Sequence, residues 1–80
     1  MTKLGVAVVG CGNVSSGHIR AWSGESERAE IVALVDAVEE FAQGRQEEFG
    51  LGQSTVSTSY AEILSREDVD VVDICTPSHQ

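Results

Sequence analysis

Apolar residues fall in three nearly unbroken blocks, with helical stripes between them. Residues 4–9 (Leu-Gly-Val-Ala-Val-Val) and 31–35 (Ile-Val-Ala-Leu-Val) are continuous rather than alternating, which predicts strands buried on both faces, as in a parallel sheet. Residues 71–75 (Val-Val-Asp-Ile-Cys) form the third block, ended by Thr76-Pro77 because proline cannot extend a central ladder. From Asn13 to about Ser23, Val14, His18, Ala21 and Trp22 recur at helical spacing, with Gly17 weakening the helix and Gly24 placed to end it. Val38, Phe41, Ala42, Arg45 and Phe49 form a second stripe against Glu39, Glu40, Gln43, Glu47 and Glu48, predicting a helix that stops near Gly50 or Gly52. The polar residues 54–58 suit a short edge strand. Ser59 with Glu62 is a capping box that opens a short helix through Ala61, Ile63 and Leu64.

The order is therefore βαβαβαβ. Alternation with short links demands parallel pairing through right-handed crossovers, so the fold class is α/β: a doubly wound, Rossmann-like parallel sheet of strand order 3-2-1-4. No internal repeat, low-complexity tract or linker interrupts it.

Composition narrows the function. Eighty residues, 41% hydrophobic and 22% charged, make one domain or part of one. A net charge of −8 repels phosphate backbones and anionic lipid, so nucleic acid and membrane surfaces are not expected partners. The apolar stretch of residues 4–11 is far below the roughly 18 residues that span a bilayer. Cys11 and Cys75 lie far apart in or beside apolar runs, which predicts two reduced, buried thiols and a cytoplasmic setting. A lipoprotein signal ending Val8-Val9-Gly10-Cys11 is the competing reading. Its apolar part is at the short limit, and cleavage would delete the first strand. Asn13-Val14-Ser15 fits a glycosylation acceptor that is idle in the cytoplasm.

In a doubly wound sheet, ligands bind at the carboxyl ends of the strands where the strand order reverses. Gly10, Asp36 and Thr76 are expected to converge on that edge. The segment Gly10-Cys11-Gly12-Asn13-Val14-Ser15 matches the dinucleotide fingerprint G-x-G-x-x-G/A except at Ser15. Gly10 permits the tight turn and Gly12 a close approach of backbone to pyrophosphate. A helix opening near Asn13 and Val14 offers unpaired N–H groups and its positive end. Ser15 is expected to hold that helix slightly further from the first strand. Asp36 lies 21 residues after Ser15, close to the ~20 expected of a ribose-binding carboxylate. It would accept from the adenosine ribose hydroxyls and repel a 2′-phosphate, which favours NAD over NADP. Asp36 with Glu39 is equally a capping pair for the second helix. Arg45 is unconstrained by sequence. His18 is expected to pack or cap. No Cys or His spacing resembles a zinc site, and no nucleophile–base pair is identifiable from the sequence.

Three segments together resemble the Gfo/Idh/MocA family of oxidoreductases: residues 5–18 (Gly-Val-Ala-Val-Val-Gly-Cys-Gly-Asn-Val-Ser-Ser-Gly-His), Val35-Asp36-Ala37, and residues 68–79 with Thr76, Pro77 and His79. In that family the first helix often begins G-x-G-x-x-G/A/S with a histidine three places later, as His18 follows Ser15. There the fourth strand characteristically runs into Thr-Pro or Asn-Pro and a histidine-bearing helix start that borders the nicotinamide. The resemblance thus implies Gly10, Gly12, Asn13, Val14, Ser15, Asp36, Thr76, Pro77 and His79 as cofactor-binding residues. It also implies what is missing: a Glu-Lys-Pro motif whose lysine assists catalysis, and a second α/β domain that supplies substrate contacts. Residues 1–80 are accordingly expected to be a partial NAD(P)-binding domain of a longer parent, with no catalytic residue of its own.

The expected function is the cofactor half of an oxidoreductase that moves a hydride between nicotinamide and a sugar, cyclitol or similar alcohol. A non-catalytic dinucleotide sensor or interaction module is the alternative. A methyltransferase with an adenosyl cofactor is a third, opposed by Thr76-Pro77. An isolated chain of this length is expected to be marginally stable, to turn over nothing and to self-associate through the open edge of its fourth strand.

Overall fold

The computed structural model describes residues 3–75. Seven elements alternate through them: β1 (Leu4–Val9), α1 (Ser15–Ser23), β2 (Ala29–Val35), α2 (Glu39–Glu48), β3 (Thr55–Ser57), α3 (Tyr60–Leu64) and β4 (Val71–Ile74). Every pairing is parallel and the sheet order is β3-β2-β1-β4. The expected α/β, doubly wound, Rossmann-like topology is the one observed.

Continuous apolar runs are needed because both faces of the sheet are covered. On one face Val6, Val8, Ile31 and Leu34 pack with Ile19 of α1, Ala42 of α2, Cys11 and Cys75. On the other, Ala7, Ala33 and Val35 meet Ile63 of α3. The register shifts between Val6 and Ala7, where β1 pairs with Ile31 and then Ala33, skipping Val32. That bulge moves Leu34 onto the same face as Ala29 and Ile31, a switch that strict alternation forbids.

Gly5 sits where β1 meets the chain entering β4. A Cβ there would lie 1.7 Å from the Asp68 carbonyl oxygen, so only glycine fits. The Gly5 N–H donates to Asp70 Oδ2 at 2.8 Å and its carbonyl accepts from the Asp70 N–H at 2.7 Å.

Several boundaries differ from the sequence reading. The helix expected near Asn13 starts at Ser15, because residues 12–14 form a turn in which the Ser15 N–H donates to the Gly12 carbonyl at 3.1 Å. Phe41 is 52% exposed rather than inward-facing. It lies one residue, about 100° of helical rotation, from Ala42, through which α2 meets the core, with Phe49 packing just past the helix end. Half of the expected capping box forms: Ser59 Oγ accepts from the Glu62 N–H at 3.2 Å, while the Ser59 N–H goes to Ser57 Oγ. Among the described residues no helix is long and apolar enough to cross a membrane.

Candidate functional site

The carboxyl end of β1 runs into a loop whose backbone is held from below and open above. Gly10 has φ +90°, a left-handed conformation that glycine alone adopts without strain, and its N–H still donates to the Val35 carbonyl at 2.8 Å. Cys11 turns inward and is buried. Burial, and then the charge of Asp36, push its thiol up to about 11, so it is a neutral packing group rather than a nucleophile. Gly12, Asn13 and Val14 are exposed. Among the described residues a Cβ on Gly12 would meet nothing within 4 Å, so they leave the space beside this backbone open to a ligand's phosphates.

The start of α1 supplies the matching donors. Its N-cap position, Val14, carries no capping side chain and its first turn holds no acidic residue. Among the described residues the N–H groups of Gly12, Asn13 and Val14 have no acceptor. Unpaired donors at a positive helix end, beside a glycine that keeps the approach open, fit the diphosphate of a dinucleotide.

Asp36, at the end of β2, uses both carboxylate oxygens on backbone. Oδ2 accepts from the Cys11 N–H at 2.7 Å, and Oδ1 from the Val38 N–H at 2.8 Å. The expected Asp36–Glu39 capping pair does not form. Val38 occupies the N-cap position in an extended conformation without a side-chain cap bond, and Asp36 instead closes a turn onto it two residues on. Each carboxylate oxygen has two lone pairs, so Asp36 retains acceptor capacity for a ribose diol.

Ser15 departs from the fingerprint without leaving a defect. It is fully buried, and its Oγ donates to the Gly12 carbonyl at 2.6 Å. Arg45, unconstrained in the sequence reading, reaches this loop from α2: Nε donates to Ser15 Oγ at 3.2 Å, and the guanidinium also contacts the Gly12 carbonyl and pairs with Glu48. The readable signal was an arginine on the apolar stripe of α2, between Ala42 and Phe49.

A second polar cluster ties α1 to β4. His18 Nδ1 lies 2.9 Å from Asp73 Oδ2, and Trp22 Nε1 donates to the same oxygen at 2.8 Å. Burial raises the Asp73 carboxyl, but the Trp22 and His18 hydrogen bonds outweigh it and hold the group below the usual carboxylate range. The packing role expected for His18 is thus a hydrogen bond to Asp73, marked in the sequence by an acid inside an apolar strand block.

Gly10, Gly12, Asn13, Val14, Ser15 and Asp36 are brought together at one sheet edge. Cys75 reaches the same edge, its N–H donating to the Val9 carbonyl at 2.7 Å. Thr76, Pro77 and His79 lie outside the described residues. Two depressions lie at the opposite, amino edge of the strands, one lined by Lys3, Trp22, Ile31 and Leu51 and the other by Gly5, Glu30 and Arg66. Neither touches the glycine-rich loop, whose residues Gly12, Asn13 and Val14 lie exposed at the carboxyl edge.

A family model described as an oxidoreductase family with an NAD-binding Rossmann fold, Gfo/Idh/MocA, matches residues 4–80. D-apiose dehydrogenase of Paraburkholderia graminis is 41% identical over 76 residues, which is 92% of this chain and 20% of that protein. Inositol 2-dehydrogenase 1 of Paenarthrobacter aurescens is 38% identical over 78 residues, 96% of this chain and 23% of that protein. The crystal structure of myo-inositol dehydrogenase from Lactobacillus casei, in complex with NAD(H) and myo-inositol, superposes with a TM-score of 0.82 at 27% identity, covering 91% of this chain and 21% of that one. The chain spans about a fifth of the length of the curated relatives it matches.

Proposed function

This chain belongs to the Gfo/Idh/MocA oxidoreductase family, and from that premise we propose that it is the NAD-binding part of a dehydrogenase acting on a sugar, cyclitol or similar polyol. The observation that carries the reading is the loop itself: among the described residues, exposed N–H groups of Gly12, Asn13 and Val14 have no acceptor and an open approach, with the Asp36 carboxylate bonded to the same loop. In this reading the loop amides and the positive end of α1 hold the diphosphate, and Asp36 accepts from the adenosine ribose hydroxyls. Thr76, Pro77 and His79, outside the described residues, are the positions that the family resemblance would set beside the nicotinamide.

When bound, NAD supplies the hydride acceptor for a carbinol carbon. The chain's own residues bind and orient; proton transfer and most substrate contacts belong to residues of a longer protein, consistent with the fraction of the relatives' length that is matched. A cytoplasmic setting fits two free, buried thiols. The outer edge of β4, with Ile74 56% exposed and Val71 and Val72 half-buried, supports association of isolated chains.

The test is an assay of NAD reduction by the full-length protein with a panel of aldose sugars, cyclitols and linear polyols. Reduction with at least one of them is expected. Tight NAD binding with no turnover across the panel, and no reverse reaction with the corresponding ketones, would favour a non-catalytic sensor.

A further inference from the structure

We propose that Arg45 is a positioning residue for the cofactor's diphosphate, locking the glycine-rich loop so that the Asn13 amide faces outward. The proposal rests on the NAD-binding reading above. Three donors converge on the Gly12 carbonyl oxygen: the Ser15 N–H at 3.1 Å, Ser15 Oγ at 2.6 Å and an Arg45 terminal nitrogen at 3.4 Å. Arg45 Nε at the same time donates to Ser15 Oγ at 3.2 Å, so the hydroxyl accepts from the guanidinium while donating its own hydrogen bond to the carbonyl.

The consequence follows from peptide geometry. A trans peptide is planar, with its C=O and N–H pointing to opposite sides. Pinning the Gly12 carbonyl toward Ser15 and Arg45 therefore aims the N–H of the same peptide, that of Asn13, away from them and toward the exposed side of the loop. An unpinned Gly12–Asn13 peptide, flanked by a residue without a Cβ, is free to rotate and lose that aim.

Ser15 makes the arrangement necessary as well as available. Glycine or alanine at the third fingerprint position has no polar atom to satisfy, whereas the fully buried Ser15 hydroxyl needs partners. Arg45 supplies the donor and Gly12 the acceptor, so the departure from the fingerprint and the arginine on α2 act as one unit. The guanidinium also adds positive charge behind the loop. Its field reaches as far as Cys11, where burial and Asp36 raise the thiol and Arg45 opposes them. Glu48 pairs with the third guanidinium nitrogen and offsets part of that charge. With all three nitrogens engaged by Ser15, Gly12 and Glu48, the side chain is committed to the loop and is not a free reader of a 2′-phosphate.

The test uses the full-length protein with Arg45→Leu and Arg45→Lys variants, measuring affinity for NAD and ADP-ribose by calorimetry and for adenosine by competition with NADH. Arg45→Leu is expected to weaken NAD and ADP-ribose about tenfold and to leave adenosine unchanged. Arg45→Lys keeps the charge but cannot bridge Ser15 Oγ and the Gly12 carbonyl with a planar fork, so its loss is expected to be smaller but measurable. It also provides the reading if the leucine variant fails to fold. Unchanged NAD affinity in the variants, or an equal loss for adenosine, would overturn the positioning role. Wild-type protein that binds neither NAD nor ADP-ribose would instead overturn the reading on which the proposal rests.

Discussion

The Cys11 amide donates to Asp36 Oδ2 at 2.7 Å, so the carboxylate that ends β2 is bonded to the backbone of the loop that leaves β1. One side chain therefore does two things: it fixes the loop beside the second strand, and it stands at the site edge with acceptor capacity left over. A carboxylate so placed disfavours a neighbouring phosphate dianion, and solvent screening at an open shelf holds the penalty to about 1–3 kcal/mol. Cofactor choice should follow from this residue and its neighbour.

Asp36→Ser with Ala37→Arg is expected to move preference from NAD toward NADP by roughly tenfold to a hundredfold. The Cys11 and Val38 amides lose a charged acceptor, so the variant should also unfold about 1–3 kcal/mol more easily. Paired titrations with NAD and NADP, together with urea melts, check both. An unchanged preference would restrict Asp36 to its backbone bonds.

Two glycines should separate folding from binding. Gly5→Ala places a Cβ 1.7 Å from a backbone oxygen, and a loss of about 3 kcal/mol or more is expected. Gly12→Ala meets nothing within 4 Å among the described residues, so the protein should fold normally. Its added methyl nevertheless fills the approach to the loop amides, and NAD affinity should fall about tenfold or more. Thermal melts and calorimetry of the two variants distinguish the roles.

The tie between His18, Trp22 and Asp73 has a pH signature. Because the folded Asp73 carboxyl is held low, its stabilisation is present above the unfolded carboxyl value of ~4 and is lost as pH falls through the folded value. His18 is part-exposed, so screening limits the contribution of the pair to about 1 kcal/mol. Asp73→Asn should be less stable than wild type at pH 7, with the gap narrowing at pH 3, as read from urea midpoints.

Both thiols should be silent in the folded state. Burial is the main cause that pushes Cys11 to about 11 and Cys75 to about 12. A thiol raised on folding stabilises below its unfolded value of ~8.5 and loses that contribution as pH rises through the folded one. Disulfide-exchange reagents are expected to find no reactive cysteine at pH 7.5 until denaturant is added, and stability should decline between pH 9 and 11.

The strands, their order, Gly10 and the Ser15-to-Asp36 spacing are legible in the chain because each leaves a mark in residue type. Burial on both faces requires an unbroken apolar run, and a turn at φ +90° requires glycine. The start of α1 is displaced because the turn through Gly12 and Val14 is set by the Ser15 bonds to the Gly12 carbonyl, which spacing does not encode. The Asp36–Glu39 pair has the right letters for a cap, yet the carboxylate is drawn to the Cys11 amide across the sheet. Arg45 and Asp73 are visible as charges in apolar stripes, but their partners, Ser15 and His18, lie on other elements and only packing brings them together.

The most direct measurement is a calorimetric titration of the full-length protein with NAD and, separately, with NADP. One NAD per chain, bound at least tenfold more tightly than NADP, is the expected result. No binding of either, or binding that Gly12→Ala leaves untouched, would contradict a dinucleotide site on this loop.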